Sequence, residues 1–135
     1  MSSNYEVTGM VLSSVPAGEY DRRIEILTRE RGRISGFATG ARRPGSPVMA
    51  AAQPFVFGTF VISEGRSAYK IRDARVENFF PKLRTDVSLS CYGSYFMEVL
   101  QYVTRENNDE TALLMLAYQS LRALESDVFD NRLVR

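Results

Sequence analysis

Histidine is absent from this chain of 135 residues, and cysteine occurs once, as Cys91. Without histidine the chain lacks the usual general base and the commonest metal ligand, and a single cysteine cannot form an internal disulfide. We therefore expect no catalytic constellation, no metal site and no cofactor. We expect Cys91 to be a small buried hydrophobe, because free cysteine is among the most buried residue types.

Long apolar runs are also missing. The uninterrupted runs are only a few residues long, as at residues 48–52, whereas a membrane-spanning helix needs about 20 apolar residues. The first residues carry no basic region followed by an apolar one, which argues against an ordinary secretory signal. We therefore expect no membrane association and a cytoplasmic, reducing location.

The two parts of the chain differ in the sign of their charge. Residues 1–85 contain thirteen Lys and Arg against eight Asp and Glu, whereas residues 86–135 contain four against eight. Nearly all of the basic residues are arginine, whose guanidinium group binds phosphates in a fork and stacks on flat rings. A basic first part indicates a polyanionic partner, although ordinary surface charge is the alternative.

Before Pro81 the sequence has the pattern of short strands separated by turn residues. Five such strands with a short helix between the third and the fourth are typical of an OB-fold, a small barrel that binds oligonucleotides. Other small β-barrels share the strand count. The predicted strands cover residues 5–14, 20–28, 33–39, 55–63 and 68–77, and the one short helix expected in the irregular stretch 40–54 covers residues 48–53.

After Pro81 the apolar residues change to helical spacing. Asp86 or Ser88 is the predicted N-cap of the first helix, and Asn107-Asn108 separates it from a second helix over residues 110–125. A third helix is predicted to begin at Asp127 or Asp130. The predicted buried face of the first helix is Leu89, Tyr92, Phe96, Val99 and Val103, and that of the second is Leu113, Leu114, Ala117, Leu121 and Leu124.

Basic side chains lie on the outer faces of the predicted strands and in the turns between them. Side chains alternate across a strand, so the basic neighbours of residues that line the barrel point outward. OB-folds hold oligonucleotides on strands two and three and on the loops after strands one and four. The candidate DNA-binding residues are Arg23, Arg31, Arg33, Arg42, Arg43, Arg66, Lys70 and Arg72.

Two aromatic residues, Tyr20 and Phe37, are candidates for stacking on bases, since single strands are held by a basic groove combined with aromatic faces. The alternative is that helices cover Phe37 and that Tyr20 packs at an edge of the barrel. For Arg42 and Arg43 there are two interpretations: they contact phosphates, or they belong to a solvated loop without a ligand. Phe55, Phe57 and Phe60 fall on both faces of strand four, and we assign them to the core.

Several short strings, in order along the chain, resemble the bacterial RecO proteins. They are TGMVL at residues 8–12, GEYDR at 18–22, LTRERGRIS at 27–35, GARRP at 40–44 and QPF at 53–55. YGSYFME at residues 92–98 resembles the first helix after the barrel of that family. The resemblance therefore extends over most of the chain.

The resemblance implies an N-terminal OB-fold and a helical domain that often carries a cysteine zinc site. It implies binding of single- and double-stranded DNA, annealing of complementary strands, a RecR-like partner, and recombinase loading on strands coated by single-strand-binding protein. By position, it assigns basic roles to Arg31, Arg33, Arg42 and Arg43. Full members continue beyond Arg135, so the resemblance puts the zinc cysteines and the contact with single-strand-binding protein outside this chain.

The sequence thus predicts a protein that is mainly β with α, in which a five-stranded OB-fold barrel over residues 1–81 precedes a helical segment over residues 82–135. The predicted function is a non-catalytic DNA-binding module of a recombinational repair mediator, associated with the bacterial nucleoid. The alternative is a protein-docking scaffold that recruits a RecR-type partner without DNA affinity of its own. An exposed helical face is a candidate dimer contact.

Overall fold

The computed structural model describes residues 4–46 and 48–134, with side chains up to residue 126. Five strands come first and three helices follow. The strands are β1 (Asn4–Ala17), β2 (Asp21–Thr28), β3 (Gly32–Ala38), β4 (Phe57–Glu64) and β5 (Tyr69–Asn78), and the helices are α1 (Pro81–Thr85), α2 (Val87–Val103) and α3 (Thr111–Val134).

The five strands form a closed barrel in the order β1-β2-β3-β5-β4. Strand β1 pairs antiparallel with both β2 and β4, while β3 pairs in parallel with β5 at Gly36–Tyr69 and Phe37–Lys70. This order of strands is that of an OB-fold. The predicted fold class, an OB-fold barrel followed by helices, is confirmed.

Alternation along β1 divides the apolar residues between two cores. Val7 and Val11 point into the barrel core, while Met10 and Leu12 point outward into a second, helix-side core. The helix-side core also contains Leu83 of α1 and residues of α2 and α3. A strand with both faces buried holds the barrel and the helices together through the hydrophobic effect.

The stretch between β3 and β4 consists of turns. The prediction of a short helix at residues 48–53 is therefore wrong. It forms a series of turns in which Ala52 N donates to Val48 O over 3.0 Å. The small apolar side chains of this stretch enter the barrel core, and their burial fixes the backbone in turns. These residues are Ala41, Val48, Ala51, Ala52 and Val56.

Two strand limits differ from the prediction by more than one residue. β1 continues to Ala17, because Pro16 still pairs with Arg22 beyond the point where β4 covers the other edge of β1. An edge position tolerates a proline, which has no N–H to donate. β4 begins at Phe57 and not at residue 55, because the φ of Phe55 is 76°, outside the extended region.

The predicted buried face of α2 is displaced by about one residue. Leu89 is buried as predicted, but the helix turns Gly93, Met97 and Leu100 toward the core and leaves Tyr92 68% exposed. The cause is Gly93, where an added Cβ would lie 2.8 Å from Phe55 Cε1. The helix therefore contacts the stretch between β3 and β4 at a residue that has no side chain to contribute to the apolar pattern. The predicted face residues Val99 and Val103 are exposed as well.

The same rotation makes the assignment of Cys91 as a buried residue wrong, since its side chain is exposed. The predicted cap at Asp86 is confirmed, because its Oδ1 accepts from Leu89 N over 3.1 Å. The predicted separator at Asn107-Asn108 is confirmed in the break between α2 and α3.

Helix α3 buries the predicted face, with Leu114, Ala117 and Leu121 buried and Leu113 and Leu124 packed against the helix-side core. The helix is continuous through Val134, so the start of a third predicted helix at residue 127 or 130 is wrong. Helical hydrogen bonding continues past the acidic residues that had indicated an N-cap.

The tip of the β2–β3 hairpin is docked onto the loop between α2 and α3. Gly32 has a φ of +67°, and this loop passes directly against it. Arg33 N donates to Arg105 O over 3.1 Å, and Asn107 N donates to Arg31 O over 2.9 Å. Backbone hydrogen bonds therefore join the barrel to the helices at this end of the molecule.

Within the described residues, no helix combines the length and the hydropathy that a membrane crossing requires. The division into a domain over residues 1–81 and a segment over residues 82–135 stays a prediction.

Candidate nucleic-acid interface

An open groove of about 610 Å³ lies between the end of β3 and the β4–β5 loop. The parallel pairing of β3 with β5 places Phe37 beside Lys70 in the sheet. The β4–β5 loop, residues 65–68, contributes to the same groove. The groove is lined by Asp21, Phe37, Thr39, Glu64, Gly65, Arg66, Ser67, Ala68 and Lys70.

Phe37 offers an aromatic surface in this groove. Its neighbours on β3, Gly36 and Ala38, point into the barrel, so alternation turns Phe37 outward, where it is half-buried. The Arg23 guanidinium lies 6.0 Å from the ring centroid. The alternative that helices cover Phe37 is wrong, because the ring lines an open groove and lies outside the helix-side core.

Two cations in the groove have no protein partner among the described residues. Arg66, in the β4–β5 loop, and Lys70, at the start of β5, are exposed. Neither side chain forms a hydrogen bond or an ion pair within the described part of the chain. Such cations are available for the phosphates of a ligand, since neither is held in an ion pair with a carboxylate of the described residues.

Two carboxylates, those of Asp21 and Glu64, also line the groove, and the sequence did not indicate them. Asp21 Oδ1 accepts from Gly40 N over 2.7 Å and so holds the start of the loop that follows β3. Alternation along strands cannot predict what loops and strand ends bring together. The groove is therefore mixed in charge.

A second cluster lies on the loop between β1 and β2. The Arg43 guanidinium stacks over the Tyr20 ring, 4.3 Å from its centroid. Arg42 N donates to Tyr20 O over 2.7 Å, and Arg42 Nη1 donates to Gly18 O over 3.2 Å. These contacts join the β1–β2 loop to the loop that follows β3. Together the two loops present two exposed guanidinium groups next to an exposed ring.

Arg31 is engaged in a different contact. Its guanidinium lies 4.2 Å from the centroid of Tyr5 and 5.7 Å from that of Tyr69. Arg31 Nη1 donates to the Tyr69 hydroxyl over 3.2 Å. This hydrogen bond raises the pKa of Arg31, and burial acts in the opposite direction. Arg31 stabilises the barrel by joining β1 to β5.

Arg33 is likewise occupied. Its Nη1 donates to Glu25 Oε1 over 2.8 Å, and its Nη2 donates to Thr104 O over 3.1 Å. Thr104 is the C-cap of α2. The Arg33 side chain thus satisfies a helix-terminal carbonyl and connects β3 to the end of α2.

Arg23 and Arg72 lie on outer strand faces and bond to neighbouring hydroxyls. Arg23 Nε donates to Ser35 Oγ over 3.0 Å, and Arg72 Nε donates to Ser63 Oγ over 2.9 Å. Both side chains are exposed. The structure therefore gathers Phe37, Arg66 and Lys70 in one groove, with Arg23 over Phe37.

Among the described residues, no group of three or more His, Cys, Asp and Glu side chains could hold a metal ion. The arginine, lysine and aromatic side chains of the site suit phosphates and bases, and they lie beside two carboxylates.

The family model "Recombination protein O N terminal" matches residues 1–80. The chain belongs to the RecO family. The match covers the whole barrel and ends one residue before α1 begins at Pro81. The match therefore confirms the resemblance to RecO proteins that the short strings along the chain indicated.

Curated relatives named DNA repair protein RecO extend the similarity into the helices. The one from Alkaliphilus metalliredigens is 34% identical over 119 residues, which are 88% of this chain and 48% of the relative. The one from Exiguobacterium sibiricum is 36% identical over 117 residues, 87% and 47% respectively. The one from Synechocystis sp. is 32% identical over 127 residues, 94% and 47%. The chain thus spans about half the length of these relatives.

Proposed function

We propose that this chain is a non-catalytic DNA-binding module of a recombinational DNA repair mediator, and that it holds a single strand in the groove between β3 and the β4–β5 loop. The observation that carries the proposal is the outward-facing Phe37 ring in the same groove as two cations, Arg66 and Lys70, whose side chains have no partner among the described residues. A basic groove with an aromatic platform is the usual means of holding single-stranded nucleic acid.

In this proposal a base stacks on Phe37 while Arg66 and Lys70 neutralise the adjoining phosphates. Arg42 and Arg43 take phosphates farther along, and Tyr20 offers a second ring there. Stacking accepts every base because each has a π-face, so little sequence preference is expected. Arg23 and Arg72 lie outside the set that lines the groove and serve as flanking contacts.

The proposal gives Arg31 and Arg33 a supporting role. Both were candidates for phosphate contacts, and both guanidinium groups already have protein partners. Breaking those bonds to reach a phosphate would leave Glu25 and the end of α2 without their donors.

Annealing of strands, recombinase loading, and contacts with a RecR-like protein and single-strand-binding protein belong to this proposal at the level of the whole protein. Their support is the set of relatives named DNA repair protein RecO, which are about twice as long as this chain. A cytoplasmic, nucleoid-associated location is part of the same proposal.

Fluorescence anisotropy of a labelled single strand of about 30 nucleotides, titrated at several salt concentrations, tests DNA binding. Each phosphate contact to a single strand contributes about −0.7 to the log–log slope of affinity against salt. With several cations bound to phosphates, we expect a slope of roughly −2 to −4. Absence of binding at low salt would overturn the proposal for this chain.

The second candidate function is protein docking, and the outer face of α2 favours it. Tyr92, Tyr95, Val99 and Tyr102 are exposed and follow one another at steps of three and four residues. Such a stripe is the pattern by which one helix packs against another. A RecR-like partner or a second copy of this chain would cover it.

Light scattering on a size-exclusion column distinguishes these occupants. If the stripe pairs two copies, the 15.3 kDa chain runs at twice that mass at high concentration, and Tyr95→Glu with Tyr102→Glu returns it to the monomer mass. The matched control is Met115→Glu with Leu116→Glu, on exposed positions of α3. A monomer at all concentrations would exclude self-association and leave a separate partner protein as the occupant to test.

A further inference from the structure

A pocket of about 300 Å³ lies where the end of the β3–β4 linker meets the helices. It shares no lining residue with the groove. None of its lining residues is acidic, in contrast to the groove, and four of the six carry side-chain donors. The pocket is lined by Gln53, Pro54, Phe55, Arg84, Ser90 and Ser94.

The wall of this pocket is fixed by the backbone. Phe55 has a φ of 76°, a value that costs free energy for a residue with a side chain, and it is 4% exposed. Phe55 N donates to Val11 O over 3.0 Å. Its ring packs against Gly93, which lies between Ser90 and Ser94 on α2. The linker is thereby held against the helix.

The donors come from two helices. Ser90 and Ser94 are four residues apart and therefore lie on the same face of α2. Arg84, in the last turn of α1, lines the pocket with them. Gln53 Nε2 already donates to Met49 O over 3.2 Å. The Gln53 side chain therefore lines the pocket, but its amide donor is already in use.

The Arg84 side chain has no hydrogen bond or ion pair with any other described residue. Arg84 is exposed, and desolvation by the neighbouring residues lowers its pKa. A guanidinium group that lines a pocket and has no ion pair among the described residues is available to a bound anion, and charge-assisted hydrogen bonds to a phosphate are strong.

We propose that the pocket formed by Arg84, Ser90, Ser94 and the linker residues 53–55 binds a single phosphate group. A forked guanidinium and two hydroxyls approach from different elements, which suits a tetrahedral anion with three terminal oxygens better than a planar carboxylate with two. A pocket of about 300 Å³ has room for a phosphate with part of a sugar. The phosphate comes from the end of a DNA strand or from a free nucleotide.

Titration with inorganic phosphate at constant ionic strength tests the site. The backbone amide signals of Ser90 and Ser94 in a nitrogen-15 spectrum should shift in a saturable manner. Arg84→Gln and the double variant Ser90→Ala with Ser94→Ala should each weaken phosphate binding by about tenfold or more. Lys82→Gln removes a charge from the same helix outside the pocket and should leave the affinity unchanged.

Thermal unfolding of each variant shows whether it folds. If Arg84→Gln does not fold, the double serine variant still tests the site. The proposal is overturned if several millimolar phosphate shifts neither amide, or if Arg84→Gln, Lys82→Gln and the unmodified chain respond equally. A third arm identifies the source. Tighter binding of a 5′-phosphorylated strand than of the same strand with a 5′-hydroxyl supports a DNA end, and equal binding of the two strands, with thymidine 5′-monophosphate bound, supports a free nucleotide.

This inference does not depend on the groove. Arg66→Glu with Lys70→Glu should leave the phosphate titration unchanged, because neither residue lines the pocket. Loss of strand binding in that variant with intact phosphate binding therefore separates the two proposals.

Discussion

Replacing Gly32 by alanine is expected to lower the free energy of unfolding by about 3 kcal/mol. Gly32 has a φ of +67°, and an added Cβ would lie 2.3 Å from Arg105 O and 2.9 Å from Asn108 O. Both atoms belong to the backbone of the α2–α3 loop and cannot move aside as a flexible side chain does. Relief of the clash requires the loop to leave the hairpin, with loss of the bond from Arg33 N to Arg105 O.

Gly18→Ala is the matched control. Gly18 has a similar φ of +63°, but an added Cβ would meet nothing within 4 Å. The control therefore measures the cost of the left-handed backbone alone, which is about 1 kcal/mol. Urea unfolding followed by circular dichroism gives both values. Equal losses in the two variants would mean that contact between the hairpin tip and the α2–α3 loop contributes nothing to stability.

The fold was predictable where two faces of an element differ in polarity. In β3 the alternation of Ile34, Gly36 and Ala38 with Arg33, Ser35 and Phe37 predicts the inner and outer faces correctly, because the period of a strand is two and one face lines the barrel. The stretch of small apolar residues after β3 gave no such signal. Alanine is a good helix former, yet Val48, Ala51 and Ala52 are buried in the barrel core and this stretch forms turns.

The error in α2 has a related cause. The apolar pattern scores side chains, and Gly93 contributes none, yet it marks the line of closest approach between α2 and the linker. Once Gly93 faces inward, Tyr92 and Cys91 turn outward by helical geometry. A glycine in the middle of a predicted helix was the signal that could have indicated the buried face.

For the candidate site, the sequence predicts which basic side chains point outward from the barrel. It does not predict which residues those side chains contact. Alternation shows on which face of a strand an arginine side chain lies, but it does not show which residues contact the guanidinium group. Arg33 is bound by Thr104, which is 71 residues away in the sequence. Arg66 and Lys70 stay unpartnered among the described residues because they lie at a loop and strand start that no helix covers. Only the tertiary structure distinguishes these two kinds of basic residue.

Reversing the two groove cations, Arg66→Glu with Lys70→Glu, is expected to weaken single-strand binding by about 100-fold at low salt. The change removes two phosphate contacts and adds two negative charges beside Glu64, which already lines the groove. The log–log salt slope should also become shallower by about 1.4, since each lost contact accounts for about 0.7. Anisotropy with the same labelled strand measures both quantities.

The control for this pair is Arg75→Glu with Lys82→Glu, which changes the net charge equally. Neither residue lines the groove, and Arg75 is 71% exposed with a single surface ion pair to Glu6. Long-range repulsion lowers affinity in both variants, but it is screened by salt, so the difference between them reports the groove itself. If the control weakens binding as much as the groove pair and changes the slope equally, net charge alone attracts the strand, and Phe37, Arg66 and Lys70 form no binding site.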